Sequence, residues 1–592
     1  MSEYIHPLRD AAFVLEHLVQ FDQLCHASGL DEVNQELAET ILEEAGRFGS
    51  EVWAPLNEVG DRAGAKIAEQ GVVETAGYAD AYQAFVENCW PTLGFPEQFG
   101  GQALPNVLAT AVNEIWHSAN MAFALCPMLT QGAAEAIQHH GSENLKETWL
   151  PKLVSGEWTG TMNLTEPDAG SDLAAIKTRA VPEEDHYLIT GQKIFITWGD
   201  HQMTPNIVHL VLARLPDAPA GVKGISLFIV PKFLLDEQGE PGALNDVSCV
   251  SIEHKMGIHS SPTCTMSFGD NGGAIGYLVG EAHKGLAYMF TMMNHARQSV
   301  GVQGLAISER SYQQAVGYAR ERLQGTRSDG RKIPIIEFPD VRRMLMQMRA
   351  SIEAMRALAL LAAAEVDRSR QIQSAESAAL CHEMVELYTP IVKGWLTEMS
   401  QEVTSLGIQV HGGMGYVEET GAAQHARDAR ILTIYEGTTG IQALDLIGRK
   451  TLRNSGQTMA RLLADIEDTC KALQTNNDLL DLAQALSCAL ADARKALAWV
   501  LDNGAQTASA SGAISMAYLM LSGYLCGGWL MAKQAATAHA MLQKGPDNSA
   551  FLQAKITTAR FYCQHLLPRV KACTETVLQG HESVMALPED QF

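Results

Sequence analysis

Apolar residues recur at steps of three and four along most of this chain, which is the spacing of one helix face. The stretches 33–48 and 106–122 show this period in the first part, and 288–322 and 341–365 show it in the second half. Between about 159 and 275 the pattern changes to short runs rich in β-branched and aromatic residues. The pattern therefore predicts a mainly α chain that carries a small β domain.

The β-rich stretch contains its clearest strand signal at His186–Thr197, which reads HYLITGQKIFIT. Two β-forming runs flank Thr190-Gly191, and we interpret this pair as the turn of a hairpin. Further short strands are predicted at 207–213, 225–230, 249–252 and 263–268.

The last segment of the chain, after a polar linker at 451–457, is helical again and carries one long apolar stripe. Residues 503–532 contain no charged side chain and are long enough to span a bilayer. They are rich in Ala, Gly and Ser, include Gln506 and lack basic flanks, so we expect a helix or helix pair buried in a bundle and no stable membrane insertion. The stripe consists of Leu479, Leu482, Leu486, Leu490, Ala493, Leu497 and Val500.

These changes between helical and β-strand patterns divide the chain into four predicted domains. They are an N-terminal helical domain (1–158), a β domain (159–275), a helical domain of four-helix type (276–450) and an additional helical extension (458–592). Within the third domain, 324–339 carries glycines, prolines and mixed charge and is predicted to be a loop.

Charge and cysteine content narrow the function classes. The 592 residues have a formal net charge of -25 and no basic block, which argues against a nucleic-acid-binding protein. Eleven cysteines without a C-x-x-C pair indicate reduced thiols, with neither a disulfide framework nor a zinc site, and no metal is expected. The start, MSEYIHPLRD, has neither a secretory nor a transit-peptide composition, so we expect a cytoplasmic protein.

Candidate chemistry is concentrated at 433–442, which reads TIYEGTTGIQ. Glu436 stands between Ile434-Tyr435 and a glycine-threonine break, and apolar flanks would raise the pKa of its carboxyl toward that of a base usable near neutral pH. The same letters also suit a helix end followed by a glycine-rich turn.

Two further glycine-containing segments are candidates for ligand contact. Residues 165–172 read TEPDAGSD, a tight loop whose backbone N–H groups suit a phosphate or a polar ring edge, although a plain turn has the same composition. Residues 409–416 read QVHGGMGY after an apolar helix, and the lack of a preceding strand excludes a Rossmann-type phosphate loop.

Taken together and in this order, these segments resemble the acyl-CoA dehydrogenase family over about residues 35–450. The resemblance rests on LGFPEQFGG at 93–101, MNLTEPDAGSD at 162–172, FIT at 195–197, NHAR at 294–297, YARER at 318–322, QVHGGMG at 409–415 and IYEGT at 434–438.

The resemblance implies a fold of an N-terminal helical domain, a β-barrel-like middle domain and a C-terminal helical bundle. It also implies FAD-dependent α,β-dehydrogenation of an acyl-CoA thioester to trans-2-enoyl-CoA, as in fatty acid β-oxidation. Glu436 would remove the α-proton, flavin N5 would take the β-hydride, and the backbone N–H of Glu436 would polarise the thioester carbonyl.

Residue by residue, the resemblance assigns a set of cofactor contacts and a smaller set of substrate contacts. The FAD set is Met162, Leu164, Thr165, Ser171, Phe195, Thr197, Arg322, Gln409, Gly412, Gly413, Thr438 and Gly440. The substrate set is Ser171, Asn294, Arg297 and Gly437, with a helix-surface arginine as the alternative for Arg297.

Some positions depart from the family pattern. LQGTR follows Arg322 where the family has an aromatic-glycine pair, and Phe338-Pro339 replaces a histidine-glutamine pair, so no other residue is assigned at the adenine end of FAD. Family branches that place the base on the earlier helix have it at the position of Ala296, which cannot act as a base. The resemblance therefore leaves Glu436 as the base.

The extension resembles that of a bacterial branch containing fatty acyl-CoA and 3-(methylthio)propanoyl-CoA dehydrogenases. By resemblance, electron-transferring flavoprotein is the electron acceptor. Arg322 and the segment at Gln409 would reach the FAD of a neighbouring subunit, which implies a homodimer. The alternatives to a fatty acyl-CoA dehydrogenase are a 3-(methylthio)propanoyl-CoA dehydrogenase, an acyl-CoA oxidase and a catalytically silent scaffold of the same fold.

Overall fold

The computed structural model describes residues 4–370, 375–504, 508–545 and 548–592, which form two compact units. The helical unit comprises Met1–Arg47, Pro105–Ser118 and Arg297–Phe592, and the mixed unit comprises Phe48–Leu104 and Ala119–Ala296. The chain is mainly helical with a small sheet, as the sequence predicts. The division into four domains stays a prediction.

The first part of the chain is helical apart from a short hairpin of β1 (Lys66–Ala68) and β2 (Gly71–Val73). Its helices are α1 (Leu8–Val14), α2 (Phe21–Ala27), α3 (Gln35–Phe48), α4 (Ala54–Ala63), α5 (Tyr78–Glu87), α6 (Asn106–Ala119), α7 (Met121–His140) and α8 (Glu143–Ser155). The helices predicted at 33–48 and 106–122 are confirmed. The second ends early because Asn120 caps α7, its side chain accepting a hydrogen bond from the backbone N–H of Phe123.

The mixed unit contains a barrel-like sheet. The strands of this unit are β3 (Thr159–Asn163), β4 (Arg179–Glu183), β5 (His186–Thr197), β6 (Ile207–Arg214), β7 (Ile225–Pro231), β8 (Phe233–Leu235), β9 (Pro241–Leu244), β10 (Val247–Ile252), β11 (Thr263–Phe268) and β12 (Ala274–Leu278). In the barrel-like sheet, β5 pairs with β12, β12 with β7 and β7 with β6, while β4 pairs with both β6 and β5 and closes the ring. Strands β8 and β9 form a separate short pair.

The hairpin predicted at Thr190-Gly191 is wrong, because β5 runs through it as one strand of 12 residues. Its first half pairs with β4 and its second half with β11, so the turn lies earlier, where Glu183 faces His186. Glycine is required at 191 for close approach, since a Cβ there would lie 2.5 Å from the Oγ1 of Thr178.

The second half of the chain returns to long helices. They are α9 (Gly285–Glu321), α10 (Pro339–Arg370), α11 (Ala375–His411), α12 (Ala422–Arg430) and α13 (Thr439–Asp445). The loop predicted at 324–339 is partly wrong. It contains a hairpin of β13 (Leu323–Thr326) and β14 (Lys332–Pro334), with the glycine and the mixed charges collected at its turn.

The extension forms six helices within the residues described. They are α14 (Gln457–Gln474), α15 (Leu480–Asn503), α16 (Ala508–Leu542), α17 (Ser549–His565), α18 (Arg569–Gln579) and α19 (His581–Val584). The predicted stripe from Leu479 to Val500 is confirmed, with every member at most 8% exposed. Gln506 lies outside the described residues.

Helix α16 is apolar enough for a membrane span over Ser509–Leu542, and 83% of its most apolar window is buried inside the protein. This burial agrees with the predicted bundle helix. Small residues let α16 approach α11 closely: a Cβ on Gly394 would lie 2.5 Å from Leu519, and one on Gly523 would lie 2.0 Å from Trp395.

The helical unit contains a buried ionic cluster, and a separate lysine of the extension pairs with carboxylates of the earlier helices. The Arg356 guanidinium donates to Glu114 at 2.6 Å and to Glu309 at 2.8 Å, and all three side chains are at most 6% exposed. On α17, the Nζ of Lys555 lies 2.5 Å from a carboxylate oxygen of Asp10 on α1 and 3.4 Å from one of Glu353 on α10.

Candidate active site

Glu436 stands in a tight turn between α12 and α13, with its backbone in the left-handed region at φ 56°. That conformation costs a residue with a side chain about 1–2 kcal/mol, so the surrounding structure must hold it in place. Gly437 follows at φ 86°, where glycine is the residue that avoids strain.

Three buried polar side chains, each on a different helix, hold this turn. Lys393 on α11 donates from Nζ to the Gly437 carbonyl at 2.7 Å, and Gln442 on α13 donates to the Glu436 carbonyl at 3.3 Å. The Tyr435 hydroxyl donates to the side-chain oxygen of Gln303 on α9. The turn is thus fixed on both sides of Glu436.

The Glu436 carboxyl lies in a poorly solvated environment beside two cations. Burial raises its pKa to about 7, although Arg297 and Lys393 act in the opposite direction. Within the described residues, no acceptor meets the backbone N–H of Glu436. A carboxylate that titrates near neutral pH, next to a hydrogen-bond donor, suits proton removal from carbon beside a carbonyl.

Arg297 is 5% exposed, so the alternative of a helix-surface arginine is wrong. Its Nη1 lies 3.9 Å from a carboxylate oxygen of Asp445, and Asp445 also receives a hydrogen bond of 2.5 Å from Arg449. Burial lowers the pKa of Arg297, and the charges of Asp445 and Glu436 oppose that shift. Asn294, one turn earlier on α9, is exposed.

In the mixed unit, Phe195 is a bulky residue at φ 58° with 59% of its surface exposed. The register of β5 against β11 shifts between Lys193 and Ile196, and this β-bulge directs Phe195 outward. The N–H of Ile194 donates to the Thr165 carbonyl at 2.9 Å, which joins the 165–172 loop to the bulge.

A buried ion pair that sequence reasoning missed anchors the same loop. Lys193 donates to Glu166 at 2.8 Å and to the Leu164 carbonyl at 3.1 Å, and Glu166 also accepts from the backbone N–H groups of Lys177 and Thr178. Met162 lies on β3 and Thr197 faces Thr263 across β5 and β11, whereas Ser171 is exposed on the loop.

The remaining predicted FAD contacts lie in the helical unit in two places. Thr438 caps α13, accepting from the Ile441 N–H at 3.3 Å, and Gly440 begins that helix beside Glu436. The exposed Arg322 and Gln409 lie near the ends of α9 and α11, where the rings of Tyr318 and His411 are 4.5 Å apart.

Helix α11 separates these two places. From Lys393, which holds the Glu436 turn, to Gln409 it rises about 24 Å at 1.5 Å per residue. Gly412 and Gly413 follow with open space, since a Cβ on either would meet nothing within 4 Å. One chain therefore does not bring Arg322, Gln409, Gly412 and Gly413 to its own Glu436.

Sequence reasoning missed Lys393, Gln303 and Gln442. The signal for Lys393 is a lone cation in the apolar helix run PIVKGWL at 390–396, which is unusual at a fully buried position. Neither glutamine carries such a signal, because its role depends on which side chain faces the turn in the folded chain.

Four protein-family models match the chain in order. They are "Acyl-CoA dehydrogenase, N-terminal domain" at 31–157, "Acyl-CoA dehydrogenase, middle domain" at 161–271, "Acyl-CoA dehydrogenase, C-terminal domain" at 283–452 and "Acetyl-CoA dehydrogenase C-terminal like" at 462–588.

Full-length relatives carry the same architecture. The 3-methylmercaptopropionyl-CoA dehydrogenase of Ruegeria pomeroyi is 48% identical over 590 residues, which cover 98% of this chain and 99% of that protein. The broad-specificity linear acyl-CoA dehydrogenase FadE5 of Mycobacterium tuberculosis is 35% identical over 615 residues, which cover all of both chains.

Solved structures share the fold. ACDH-11 of Caenorhabditis elegans, in complex with C11-CoA, matches with a TM-score of 0.77 at 21% identity, covering 99% of this chain and 96% of that one. Butyryl-CoA dehydrogenase of Megasphaera elsdenii matches with a TM-score of 0.56 at 26% identity, covering 70% and 97%.

Proposed function

This chain belongs to the acyl-CoA dehydrogenase family, and from that premise we propose that its substrate is a short acyl-CoA thioester, 3-(methylthio)propanoyl-CoA. The observation that carries the substrate is the identity of 48% over nearly the full length with an enzyme named for that compound, against 35% for the broad-specificity linear enzyme. A linear fatty acyl-CoA of β-oxidation is the second candidate.

The reaction is FAD-dependent α,β-dehydrogenation of the thioester to the trans-2-enoyl-CoA. We assign Glu436 as the base that takes the α-proton, and its own backbone N–H as a donor to the thioester carbonyl. FAD, when bound, supplies the acceptor for the β-hydride. Arg297, Asn294, Gly437 and Ser171 are the proposed contacts to the acyl-CoA.

Each unit, taken by itself, contains residues that suit part of the cofactor. In the mixed unit, the outward Phe195 at the bulge offers an apolar edge, and hydrogen bonds join Leu164 and Thr165 to the same bulge. Thr197 at the end of β5 and Met162 on β3 complete the proposed flavin contacts of this unit. The Thr438 hydroxyl and Gly440 lie at the start of α13, where backbone N–H groups favour a phosphate. Ser171 completes this set.

We propose that the enzyme is a homodimer in which each FAD is completed by the partner chain. Support comes from the length of α11, which sets Arg322, Gln409, Gly412 and Gly413 apart from Glu436 in one chain. We further propose electron-transferring flavoprotein as the electron acceptor, and the cytoplasm as the location.

A substrate series under anaerobic conditions tests the proposal. Holoenzyme is mixed with 3-(methylthio)propanoyl-CoA, pentanoyl-CoA, butanoyl-CoA or dodecanoyl-CoA, and bleaching of the flavin is followed. Pentanoyl-CoA is the matched control, because a methylene replaces the sulfur at equal chain length. We expect the sulfur compound to give the highest rate of flavin reduction divided by Kd.

A larger value for dodecanoyl-CoA would replace the proposed substrate with a fatty acyl-CoA. Equal values for the sulfur compound and pentanoyl-CoA would limit the selectivity to chain length. Hydrogen peroxide formed with substrate in air at the rate of flavin reduction would favour an oxidase.

A further inference from the structure

Lys393 lies in the middle of α11 with no exposed surface. Its Nζ donates to the carbonyl of Gly437 at 2.7 Å, directly after the proposed base. Taking an ammonium group out of water costs several kcal/mol unless other charges and hydrogen bonds compensate. A methionine of similar length would fill this space without that cost, so packing alone does not account for a lysine here.

The compensation for this charge comes from the turn itself. Burial lowers the pKa of Lys393 to about 8, while the carboxylates of Glu436 and Glu398 oppose that shift and Arg297 adds to it. At neutral pH the lysine is therefore mostly protonated, and it is stabilised by the Gly437 carbonyl, by the charge of Glu436 and, to a smaller extent, by the charge of Glu398. Lysine and base stabilise each other across two elements.

The backbone geometry makes this contact consequential. Lys393 holds the carbonyl of Gly437 and Gln442 holds that of Glu436, so two successive peptide planes are fixed from α11 and α13. Glu436 remains at φ 56° only while those planes keep their orientation. Freeing the Gly437 carbonyl would let the carboxylate and its backbone N–H turn away together.

We propose that Lys393 is a positioning residue of this dehydrogenase: its ammonium group fixes the turn that carries Glu436 and places a positive charge beside the carboxylate that takes the α-proton. This inference rests on the proposed role of Glu436 as the base. Lys393 itself exchanges no proton with the substrate.

Other charged groups face the base, and they stay in place when Lys393 is changed. Arg297 on α9 lowers the pKa of Glu436 as Lys393 does, and Asp445 on α13 and Arg449 beyond it act on Arg297. Glu398 on α11 acts on Lys393, and Tyr435 couples to Glu436 and to Asp428 on α12. The other cation beside the base is thus Arg297.

The test is the pH dependence of flavin reduction in a single turnover with a saturating short acyl-CoA, for the wild-type holoenzyme and for Lys393→Met. We expect Lys393→Met to load FAD normally and to reduce it about 10- to 100-fold more slowly at its pH optimum. The rising limb of the pH profile moves upward by about one unit or more, because one cation beside the base is gone.

Two further variants separate charge and geometry from packing. Lys393→Arg keeps the charge and a hydrogen-bond donor, so we expect the rising limb of its pH profile to lie closer to that of the wild type than the limb of Lys393→Met does. Lys533→Met is the control, since Lys533 is a partly buried lysine on α16 of the same unit whose pKa is also lowered by burial. We expect the wild-type rate and limb for Lys533→Met.

A wild-type rate and limb in Lys393→Met would overturn the inference. A slower rate with an unmoved limb and reduced FAD content would also overturn it, because that pattern reports packing. If Lys393→Met fails to fold, Lys393→Gln is used, because it keeps a hydrogen-bond donor without the charge. The rising limb of its pH profile must then still lie at higher pH than that of the wild type. Normal reduction by Glu436→Gln would instead refute the proposed base, whatever Lys393 does.

Discussion

A carboxylate becomes a base near neutral pH through its surroundings, and at Glu436 three conditions meet in one turn. Burial raises the pKa of its carboxyl to about 7, two cations limit that rise, and a left-handed backbone presents carboxylate and N–H together. The strain of this conformation is localised at the residue on which the proposed reaction depends, as expected where structure serves function.

The pH profile of flavin reduction reports this carboxyl directly. The base must be ionised, so we expect the rate to rise about tenfold per pH unit below 7 and to level off above it. Glu436→Gln should abolish reduction by acyl-CoA at every pH and retain FAD, which absorbance of the bound flavin measures.

Unfolding by urea gives an independent check of the same shift. Because the folded pKa of Glu436 exceeds its ordinary value of 4.5, ionising it disfavours the folded state as the pH rises from 4.5 through 7. We therefore expect Glu436→Gln to gain free energy of unfolding over the wild type at pH 8 but not at pH 4.5, by at most about 3 kcal/mol. An equal difference at both pH values would contradict the shift.

At the scale of elements, charges as well as apolar packing join the extension to the earlier helices of the helical unit. Helix α16 lies against α11 through glycine contacts, and α17 reaches α1 and α10 through Lys555. The Arg356 pair with Glu114 and Glu309 lies deeper in the same unit.

Removing Arg356 from this buried group of three leaves the carboxylates of Glu114 and Glu309 without their shared cation. We expect Arg356→Met to lower the free energy of unfolding of the helical unit by about 3–5 kcal/mol in urea denaturation. The matched control is Arg560→Met, whose pair with Asp481 is 38% and 47% exposed and contributes at most about 1 kcal/mol. Equal losses of the free energy of unfolding in the two variants would show that burial does not make the ionic contacts of Arg356 more important for stability than the exposed pair.

The elements could be predicted from sequence wherever periodicity was long and local. The stripe from Leu479 to Val500 follows from spacing, and the strands at 207–213, 225–230, 249–252 and 263–268 follow from short β-rich runs, whereas β8, β9 and β12 were not predicted. The hairpin predicted at Thr190-Gly191 is wrong, because a glycine that is needed for the close approach of Thr178 cannot be told from a turn glycine by sequence. The 165–172 loop was recognised, but not its anchor, the Glu166–Lys193 pair.

The site divides in the same way. Glu436 and the FAD set are predictions that come from contiguous motifs with family resemblance, and their roles stay predictions. Lys393 and Gln442 act on backbone carbonyls, and Lys393 is 44 residues from the carbonyl it holds. Which face of α11 meets that turn is decided by tertiary packing, which no local pattern of residues encodes.

At the scale of the whole molecule, the central fact is the length of α11. The middle of this helix holds the turn of the base through Lys393, and its C-terminal end carries Gln409 about 24 Å away, with Gly412 and Gly413 directly after it. In the proposed homodimer, each chain therefore supplies the base Glu436 to one flavin and the FAD contacts Arg322, Gln409, Gly412 and Gly413 to the other flavin.

This division of labour makes two inactive variants able to rescue each other. Glu436→Gln spoils a chain's own reaction centre, and Arg322→Ala with Gln409→Ala spoils the centre of its neighbour. Co-expressed with different affinity tags, the two variants assemble a mixed dimer with one centre built wholly from intact parts. Random pairing then gives roughly a quarter of the wild-type activity where each variant alone gives almost none. A mixture as inactive as its components would show that the FAD contacts of each chain serve its own flavin. Recovery of activity in the mixed dimer is thus a functional consequence of the distance that α11 sets between the base and these contacts.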